Sequence, residues 1–579
     1  MGGSVNLIST QVPNSFGGTI NLGYGSFDTK NLLVNVGDRI GKFGYLVEYF
    51  NGSSAGFKTL PGNKNTGFNT NDGVIKLLYD NSDAEIPNKL QFKLQTSSQL
   101  DNETYLGLTK EDFNKDPYQR YIASELDYMK NHHRQYVLSY EIKPAEKLSL
   151  NLDVYHNDFK RNWHKLNDIK VEDGDKIGLS KLLTYDNATD EIAVLKGEYE
   201  GKNTLYIRNN NRLYYSQGIQ LNGNYQLTDN GKLRFGTRYH REEEDRFQWD
   251  DTYSTKALGI SLNKKGEGGS HSNRISNANA SASYVQYQHT LDKWVLTGGL
   301  RYENISMKQK DFGKTDPKRT GANAKEKSHK VDVIIPGFSA LYNYSDEGSV
   351  FASIHKGFAP PGINEGQKAE SSWNYELGTR YKNEFWDAEA SAYINNYSNI
   401  LGADTNAVGG NTGQGDLFNA GEVLVKGIEL YGKYTINGKN SEINFPISVN
   451  YTYFDSSFKK DFNSTTYGNT LKGDALPFIP KHMLTVEATA NYKDFTFGTI
   501  WRYRGDVRNK VGQGAIAEKD LVPSVLLVDA VARYQVSSKA NFFVTAQNLL
   551  DKKYLASLNP AGYRPGMPFF VSVGTNVKF

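Results

Sequence analysis

The stretch "GMPFFVSVGTNVKF" (residues 566–579), with which the chain ends, decides the fold class. Apart from Thr575, every second position is apolar: Phe569, Val571, Val573, Val577 and Phe579. Because side chains alternate between the two faces of a strand, one face is apolar to the last residue and the other is mostly polar. A chain terminus is a poor place for a strand that covers a soluble core. The pattern therefore predicts a strand whose apolar face meets lipid.

The same period of two recurs along the chain, for example in "AEASAYI" (388–394) and "LTVEATANY" (484–492). Strands of about ten residues span a membrane when they are tilted. Short turns such as "TDNGK" alternate with long polar stretches such as "GADTNAVGGNTGQGDLFNAGE", which is the layout of outer-membrane barrels. Pairing the segments from Gly18 to Phe579 predicts an all-β fold, a transmembrane antiparallel β-barrel of about 22 strands with short periplasmic turns and long extracellular loops.

An array of soluble β-sandwiches is the alternative, and the 579 residues would suffice for several such domains. Its strands should be nearer six residues long and should show no systematic alternation of short and long connections. The mean hydropathy of -0.61 resembles that of a soluble protein, but barrel strands are apolar on one face only. The 38 tyrosines suit the boundary between an apolar band and lipid headgroups. The sequence therefore favours the barrel.

Composition and motifs also exclude several function classes. The chain has no cysteine, so a disulfide framework, a thiolate metal site and a cysteine nucleophile are excluded. Its net charge of +3 is too small to indicate a nucleic-acid partner. The sequence contains no Walker loop, dinucleotide fingerprint, GxSxG elbow or HExxH pair. We therefore expect a protein that is not an enzyme.

Several stretches resemble one known family. "TAQNLLDKKY" (545–554) and "YRPGMPFFVSVGTNVKF" (563–579) resemble the C-terminal region of TonB-dependent outer-membrane receptors. "GGSVNLIST" (2–10) resembles the last strand of that family's plug domain. Residues 1–14 are therefore expected to be a plug remnant, and residues 15–579 the receptor barrel. Residues 102–129 and 234–253 resemble the ferric-dicitrate siderophore receptor subgroup.

The resemblance implies an outer-membrane receptor and transporter for a ferric chelate, a siderophore or iron(III) dicitrate, in a Gram-negative bacterium. The implied partners are that chelate, the TonB–ExbB–ExbD energy-coupling complex, the barrel-assembly machinery and outer-membrane lipid, with no nucleic acid. No cofactor is expected, since the ferric chelate is the transported ligand. Family members carry a signal peptide, a coupling box and most of a plug before this point, so we expect an N-terminally truncated form that lacks most of the plug. A degenerate barrel is the alternative.

Two other readings remain open. The first is a passive outer-membrane barrel or surface adhesin, whose loops serve contact and not uptake. The second is a receptor for another metal or complex, such as nickel, zinc or haem. In all of these readings the final strand resembles the signal read by the barrel-assembly machinery, with Phe579 as its terminal aromatic residue.

Arginines are the first candidates for the ligand site, because an anionic chelate needs bidentate partners that face the lumen. Strand parity in "LRFGTRYH" points Arg238 inward, and parity in "VLTGGLRYE" does the same for Arg301. The subgroup's substrate-binding arginines lie in similar "GxRY" contexts, which implies a ligand role for Arg238 and Arg301. By a looser match, Arg212 in "NNRLYYSQG" is a third candidate. The structural alternative is an arginine paired with a carboxylate of the wall or plug.

Three further segments have weaker signals. The histidines could bind a transition metal, but we expect solvated loop residues: His132, His133, His156 and His164. The run "HREEEDRFQWDD" (240–251) is also expected to be a solvated loop. "KEDFNKDPYQRYIASELDYMK" (110–130) has rough helical spacing of its apolar residues, which predicts a short helix that covers the mouth.

Overall fold

The computed structural model describes residues 7–102, 104–183, 188–256, 259–364, 366–403, 417–419, 421–437, 442–464 and 467–579. In this part of the chain, 22 antiparallel strands form one closed barrel, so the predicted fold class is confirmed. The barrel strands, in chain order, are β1 Gly17–Gly25, β2 Thr29–Ile40, β3 Phe43–Ser54, β4 Phe68–Asn81, β5 Asn88–Asp101, β6 Tyr128–Ala145, β7 Leu148–Val171, β8 Asn203–Thr228, β9 Gly231–Lys256, β10 Ser272–Leu291, β11 Trp294–Asp311, β12 Lys325–Asn343, β13 Gly348–Ala359, β14 Glu370–Lys382, β15 Trp386–Ser398, β16 Val423–Ile436, β17 Ile443–Phe458, β18 His482–Tyr492, β19 Phe495–Arg504, β20 Val525–Ser537, β21 Ala540–Gln547 and β22 Phe570–Lys578.

The barrel closes between its first and last strands. β1 pairs with β22 in the register Thr19↔Lys578 to Gly25↔Ser572. Gly18 and Phe579 exchange both backbone hydrogen bonds, each of 3.1 Å. Closure leaves no sheet edge, which is what a backbone in hydrocarbon requires because no water is there to satisfy it. The ring of Phe579 lies 6.2 Å from that of Phe16, at the end of the seam.

Aromatic pairs mark the periplasmic end of the wall. Trp294 stands opposite Tyr342 on β11 and β12, with ring centroids 4.7 Å apart. Equivalent pairs join β15 to β16, β19 to β20 and β3 to β4: Trp386–Tyr434, Phe495–Tyr534 and Phe43–Tyr79. Rings of this kind suit the headgroup level, where one end of the side chain is apolar and the other is wet. The pairs therefore fix the height of the barrel in the membrane.

β7, β8 and β9 are the longest strands and project beyond the membrane as a paired ribbon. Beside this ribbon lie three helices of the described chain: α1 Lys110–Lys115, α2 Leu179–Leu182 and α3 Thr189–Lys196. Short 3-10 turns cover Pro61–Asn63, Ile122–Ser124 and Glu518–Asp520. Minor loop strands are Ile177–Gly178, Gly259–Lys264, Leu401–Ala403, Leu417–Asn419, Phe462–Ser464, Gly468–Thr470, Val507–Arg508, Leu521–Val522, Leu555–Ser557 and Arg564–Pro565. No helix among the described residues is long and apolar enough to cross a membrane.

The ribbon corrects three expectations. Residues 240–251 belong to β9 and not to a loop, because they pair with β8 and β10. The four histidines lie on β6 and β7, and His164 is buried. The helix predicted within 110–130 is confined to α1 and the 3-10 turn, because Pro117 interrupts it.

The N-terminal segment lies against the inner wall. Lys76 donates from Nζ to the carbonyl oxygen of Thr10 at 2.6 Å, and the Thr10 hydroxyl donates to Glu48 at 2.7 Å. Residues 7–14 have no strand of their own, and β1 begins at Gly17. The boundary between a plug remnant at 1–14 and a barrel at 15–579 stays a prediction.

Candidate ligand-binding site

Four arginines stand side by side on the lumen face of the ribbon. Successive register pairs join β7 to β8, β8 to β9 and β9 to β10: Arg161↔Arg212, Arg212↔Arg246 and Arg246↔Arg274. Directly opposed residues of antiparallel strands point to the same face, and neighbouring strands are about 4.8 Å apart. The four side chains therefore form one continuous row across four strands. We call Arg161, Arg212, Arg246 and Arg274 the arginine row.

Positive charge outnumbers negative charge at the arginine row in the part of the chain that the structure describes. Arg212 donates to Glu244 at 3.1 Å and Arg246 donates to the other carboxylate oxygen at 2.9 Å. In register beyond Arg274, β11 contributes Asp311, whose carboxylate accepts from the backbone of Gly313. Among the residues that the structure describes, two carboxylates thus stand beside four guanidinium groups. Such a cluster, taken out of water, favours an additional anion.

Unused polar atoms surround the row. Arg212 is 8% exposed, yet its Nε has no hydrogen-bond partner among the described residues, and the same holds for Nε of Arg161. Gln248 lies two positions beyond Arg246 on the same face and is 0% exposed. Neither its amide nitrogen nor its amide oxygen has a partner in the described chain. Buried polar groups are nearly always hydrogen-bonded, so these atoms indicate a place for a polar ligand.

A cavity of about 510 Å³ adjoins the periplasmic side of the row. Glu244 borders both the cavity and the row, and the rings of Phe159 and Tyr214 lie 5.8 Å apart in its wall. Ser276 and Met307 contribute from β10 and β11. Aromatic walls with a charged rim suit a compact chelate that has apolar surfaces between its charged groups.

The three arginines predicted from the sequence do not come together. Arg212 belongs to the arginine row, whereas Arg238 lies eight residues from Arg246 on β9, about 26 Å along the strand. Arg301 lies on β11 opposite Tyr284, two positions below the level of Arg238. The ligand role of all three residues stays a prediction.

Arg238 and Arg301, which lie nearer the periplasm than the arginine row, already have partners in the wall. Arg238 donates from Nε to the Tyr155 hydroxyl at 2.8 Å, and its Nη2 lies 3.0 Å from Nδ1 of His240. This contact spans β8 at Gly218, where a Cβ would collide with the Tyr155 hydroxyl. Arg301 pairs with Glu303 at 2.6 Å. These contacts are the ones expected of structural lumen arginines.

Sequence reasoning missed Arg161, Arg246 and Arg274. The high charge around Arg246 predicts a loop, and strand parity applies only because the segment is part of β9. A signal was present: in "EEEDRFQWDD", Glu244, Arg246 and Gln248 alternate with side chains of the other face. Which arginines share a row depends on register, and one sequence does not give the register between strands.

An extracellular lobe stands beside the site. Its apolar core joins residues 105–123, the tip of β7, α2, α3 and the start of β8, with Leu108, Val194 and Leu205 fully buried. The loop after β21 closes onto it, because Leu108 and Tyr563 exchange backbone hydrogen bonds of 3.0 and 2.8 Å. Phe113 also packs on the ring of Tyr563. These contacts therefore attach the lobe to the loop after β21 at the extracellular mouth of the barrel.

No group of three metal-ligating side chains occurs in the part of the chain that the structure describes. His132 and His133 point to opposite faces of β6, as adjacent strand residues must. His164 stacks on Tyr128 with centroids 4.8 Å apart, and its Nδ1–H donates to the Leu126 carbonyl oxygen at 2.8 Å. The expectation that these residues do not bind a metal stays a prediction.

Comparison with known proteins gives the family. The model for "TonB dependent receptor-like, beta-barrel" matches residues 78–549. The chain belongs to the TonB-dependent receptor β-barrel family. This family consists of transport receptors and not enzymes, and it locates the chain in the outer membrane of a Gram-negative bacterium.

Individual relatives have low sequence identity to this chain. The probable TonB-dependent siderophore receptor PiuA of Acinetobacter baumannii is 27% identical over 296 residues, which cover 47% of this chain and 36% of that protein. The match thus spans about a third of the length of this curated relative. The crystal structure of the ferric citrate transporter FecA, unliganded, has a TM-score of 0.73 at 17% identity and covers 99% of this chain and 80% of FecA. The crystal structure of PiuA has a TM-score of 0.74 at 16% identity, with 99% and 82% covered. Because these identities are low, the two comparisons show that the chain has the same fold as FecA and PiuA and nothing beyond that.

Proposed function

We propose that this chain is the barrel of a TonB-dependent receptor that takes up a ferric chelate with several carboxylate groups, such as iron(III) dicitrate. The arginine row carries this proposal, because it presents four guanidinium groups in register and, among the described residues, two nearby carboxylates. Guanidinium groups hold carboxylates through paired, charge-assisted hydrogen bonds. A row on four strands can therefore hold several carboxylates of one chelate at once.

The chelate is cargo, and no resident cofactor is part of the proposal. The energy for uptake would come from the TonB–ExbB–ExbD complex acting through a plug, and assembly would begin with recognition of the final strand and Phe579. The cavity beneath the row supports this arrangement, since a chelate released from the arginines would enter it on the way to the periplasm. Arg238 and Arg301 lie lower on the same wall and would form later contacts along that route.

Energised uptake tests the proposal. The barrel, joined to a plug with its coupling box and expressed in a strain that lacks its own ferric-citrate receptor, should support uptake of radioactive iron(III) dicitrate, and a protonophore should abolish it. Iron complexed by a neutral hydroxamate should not enter. Uptake that persists without the proton-motive force, or no uptake of any polycarboxylate chelate, would contradict the proposal.

A passive barrel or adhesin is the alternative in another class, and receptors for nickel, zinc or haem are alternatives within the family. The same cells distinguish them. A passive pore would let small neutral solutes equilibrate with or without energy, and an adhesin would bind surfaces without changing iron accumulation. A receptor for another metal would take up its own complex in competition assays, while dicitrate would not compete.

A further inference from the structure

The inner wall carries a line of small side chains that begins directly below the arginine row. On β10, the lumen-facing positions that follow Arg274 toward the periplasm are Ser276, Ala278, Ala280 and Ala282. Three of these side chains end at Cβ and the fourth is a serine, so none of them extends far into the lumen. The line runs over six residues of strand, which is about 20 Å. We call these four residues the small-residue line.

Longer side chains stand on both sides of the small-residue line. The strands β9 and β11 are in register with β10, and their backbones lie about 10 Å apart across it. Their lumen-facing residues beside the line are Glu244, Glu242, His240 and Arg238 on β9, and Gln309, Met307, Ile305 and Glu303 on β11. The small-residue line is therefore the floor of a groove between two taller banks.

A cavity lies at each end of this groove. The upper one is the cavity of about 510 Å³ below the arginine row, and Ala278 contributes to its wall. The lower one has a volume of about 420 Å³ and is lined by lumen-facing residues of β10–β13, with Tyr284 at its upper edge. On the lumen face of β10, Ala280 and Ala282 lie between Ala278 and Tyr284. The groove thus connects the two cavities.

The upper end of the groove is where the structure indicates a ligand. Nε of Arg212 and both amide atoms of Gln248 have no partner among the described residues, and both side chains are more than nine-tenths buried. Arg274 and Ser276 are consecutive lumen-facing residues of β10. A ligand held at the arginine row therefore has the groove directly below it.

The groove narrows at the level of Ala282. Ala282 and Ile305 are 8% and 7% exposed, so neighbouring side chains cover the floor at this point. Arg238 and Glu303 flank Ala282 in register, and Glu303 accepts from Arg301 at 2.6 Å. A carboxylate that passes this level meets one guanidinium group from each bank and competes with Glu303 for Arg301.

The banks of the groove suit passage and not capture. Between the arginine row and the lower cavity, each bank carries one carboxylate and one guanidinium group among the described residues: Glu242 and Arg238 on β9, and Glu303 and Arg301 on β11. A path must bind its cargo well enough to admit it and weakly enough to let it leave. Banks with balanced charge meet this requirement, whereas the four guanidinium groups of the arginine row hold an anion more firmly.

We propose that the groove over β10 is the route by which the chelate leaves the arginine row, past Arg238 and Arg301 and into the lower cavity. This inference rests on the proposed function, because the chelate bound at the arginine row is its starting point. It has a mechanical consequence for the receptor. Only the part of the plug that faces β9–β11 has to move for the chelate to pass.

The test uses the receptor joined to a cysteine-free plug, because the chain itself has no cysteine. Ala280→Cys places one thiol on the floor of the groove, and a bulky methanethiosulfonate reagent attached after folding fills the groove. Mass spectrometry confirms the modification. Uptake of radioactive iron(III) dicitrate should fall at least tenfold, and a reductant should restore it. Binding of iron(III) dicitrate should change less than twofold, because Ala280 does not line the upper cavity.

Ala280→Trp is a permanent block that needs no reagent, and it should lower uptake to the same extent at unchanged binding. The heat-dependent shift of gel mobility first shows that each variant is folded. Ser448→Cys and Ser448→Trp are the matched controls. Ser448 faces the lumen on β17, since its neighbours Ile447 and Val449 face outward, and it lines neither cavity. Its variants, modified in the same way, should change uptake less than twofold.

The outcomes separate this inference from the proposed function. Normal uptake by modified Ala280→Cys and by Ala280→Trp would overturn the groove as the route and leave the proposed function standing. An equal loss of uptake in the Ser448 controls would also overturn it, because any bulky group in the lumen would then block passage. If the unmodified receptor took up no iron(III) dicitrate, the proposed function would fail, and the route would fail with it.

Discussion

Arg212 and Arg246 stand directly opposite each other on β8 and β9 and share the two oxygens of one carboxylate, that of Glu244. Like charges in register repel, so Glu244 holds the pair together in the absence of ligand. An arriving carboxylate would find the guanidinium groups aligned and would compete with Glu244 for them. The free receptor therefore contains an internal substitute for the anion that we propose it binds.

The first prediction concerns the position of the site. Arg212→Ala with Arg246→Ala should weaken iron(III) dicitrate binding at least thirtyfold, since each lost charge-assisted hydrogen bond costs roughly 1.5–3 kcal/mol. Arg238→Ala with Arg301→Ala removes the same charge from the lower wall and should weaken binding less than fivefold. Isothermal titration with the purified receptor measures both. A larger loss of affinity in the second variant would place the binding site at Arg238 and Arg301 instead.

The second prediction concerns Glu244. Glu244→Gln removes the internal competitor, so affinity for a polycarboxylate chelate should rise several-fold. The same change leaves the opposed arginines without their counter-ion, so the free energy of unfolding should fall by about 1–3 kcal/mol and the melting temperature should fall with it. Binding and thermal melting of one preparation measure the two effects. If affinity fell together with stability, Glu244 would be a ligand-orienting residue and not a competitor.

The barrel could be predicted from the sequence because its signal is local. Alternation in "LTVEATANY" or in the final strand needs only neighbouring residues, and closure follows from the requirement to leave no edge. The parity of Arg238 and Arg301 could be predicted for the same reason, and the exposed outer positions of Tyr239 and Tyr302 agree with it.

The arginine row could not be predicted in this way. Residues 240–251 are rich in charge, which locally indicates a loop, yet tertiary pairing with β8 and β10 holds them as a strand. The row then depends on three registers between consecutive strands, and long extracellular connections join β7 to β8 and β9 to β10. Arg161 and Arg274 are 113 positions apart, from their numbers in the chain, and nothing in either local sequence indicates the other.

The third prediction concerns closure of the barrel. At Gly18 an added Cβ would collide with the carbonyl oxygen of Asn35 and with the ring of Phe579. Gly18→Val should therefore reduce the folded fraction in outer membranes several-fold, measured by heat-dependent gel mobility. Gly432→Val is the matched control, because no atom lies within 4 Å of the position of its Cβ. If Gly18→Val and Gly432→Val lost similar folded fractions, close packing at the β1–β22 seam would not be the cause of the loss.

The last prediction concerns Asp112, which fastens α1 to the extracellular lobe. Its carboxylate accepts from the Tyr121 hydroxyl at 2.6 Å and from Lys196 and Thr109 at 3.0 Å each. Burial alone would raise the pKa of Asp112, but these hydrogen bonds outweigh it and hold the pKa below its ordinary value. A carboxyl group with a lowered pKa stabilises the folded state fully above its unfolded pKa, about 3.9.

That contribution is lost as the pH falls below about 3.9 and through the lowered pKa of the folded state. Hydrogen exchange of residues 105–127 should therefore be constant from pH 7 to pH 5, after correction for the intrinsic rate, and should accelerate as the carboxyl group is protonated. Asp112→Asn should show the faster exchange already at pH 7 and little further change. Asp190→Asn, an exposed carboxylate on neighbouring α3, is the control and should behave as the wild type. If Asp112→Asn kept the slow exchange at pH 7, the lobe would be held by its apolar core, and the charge of Asp112 would contribute nothing measurable.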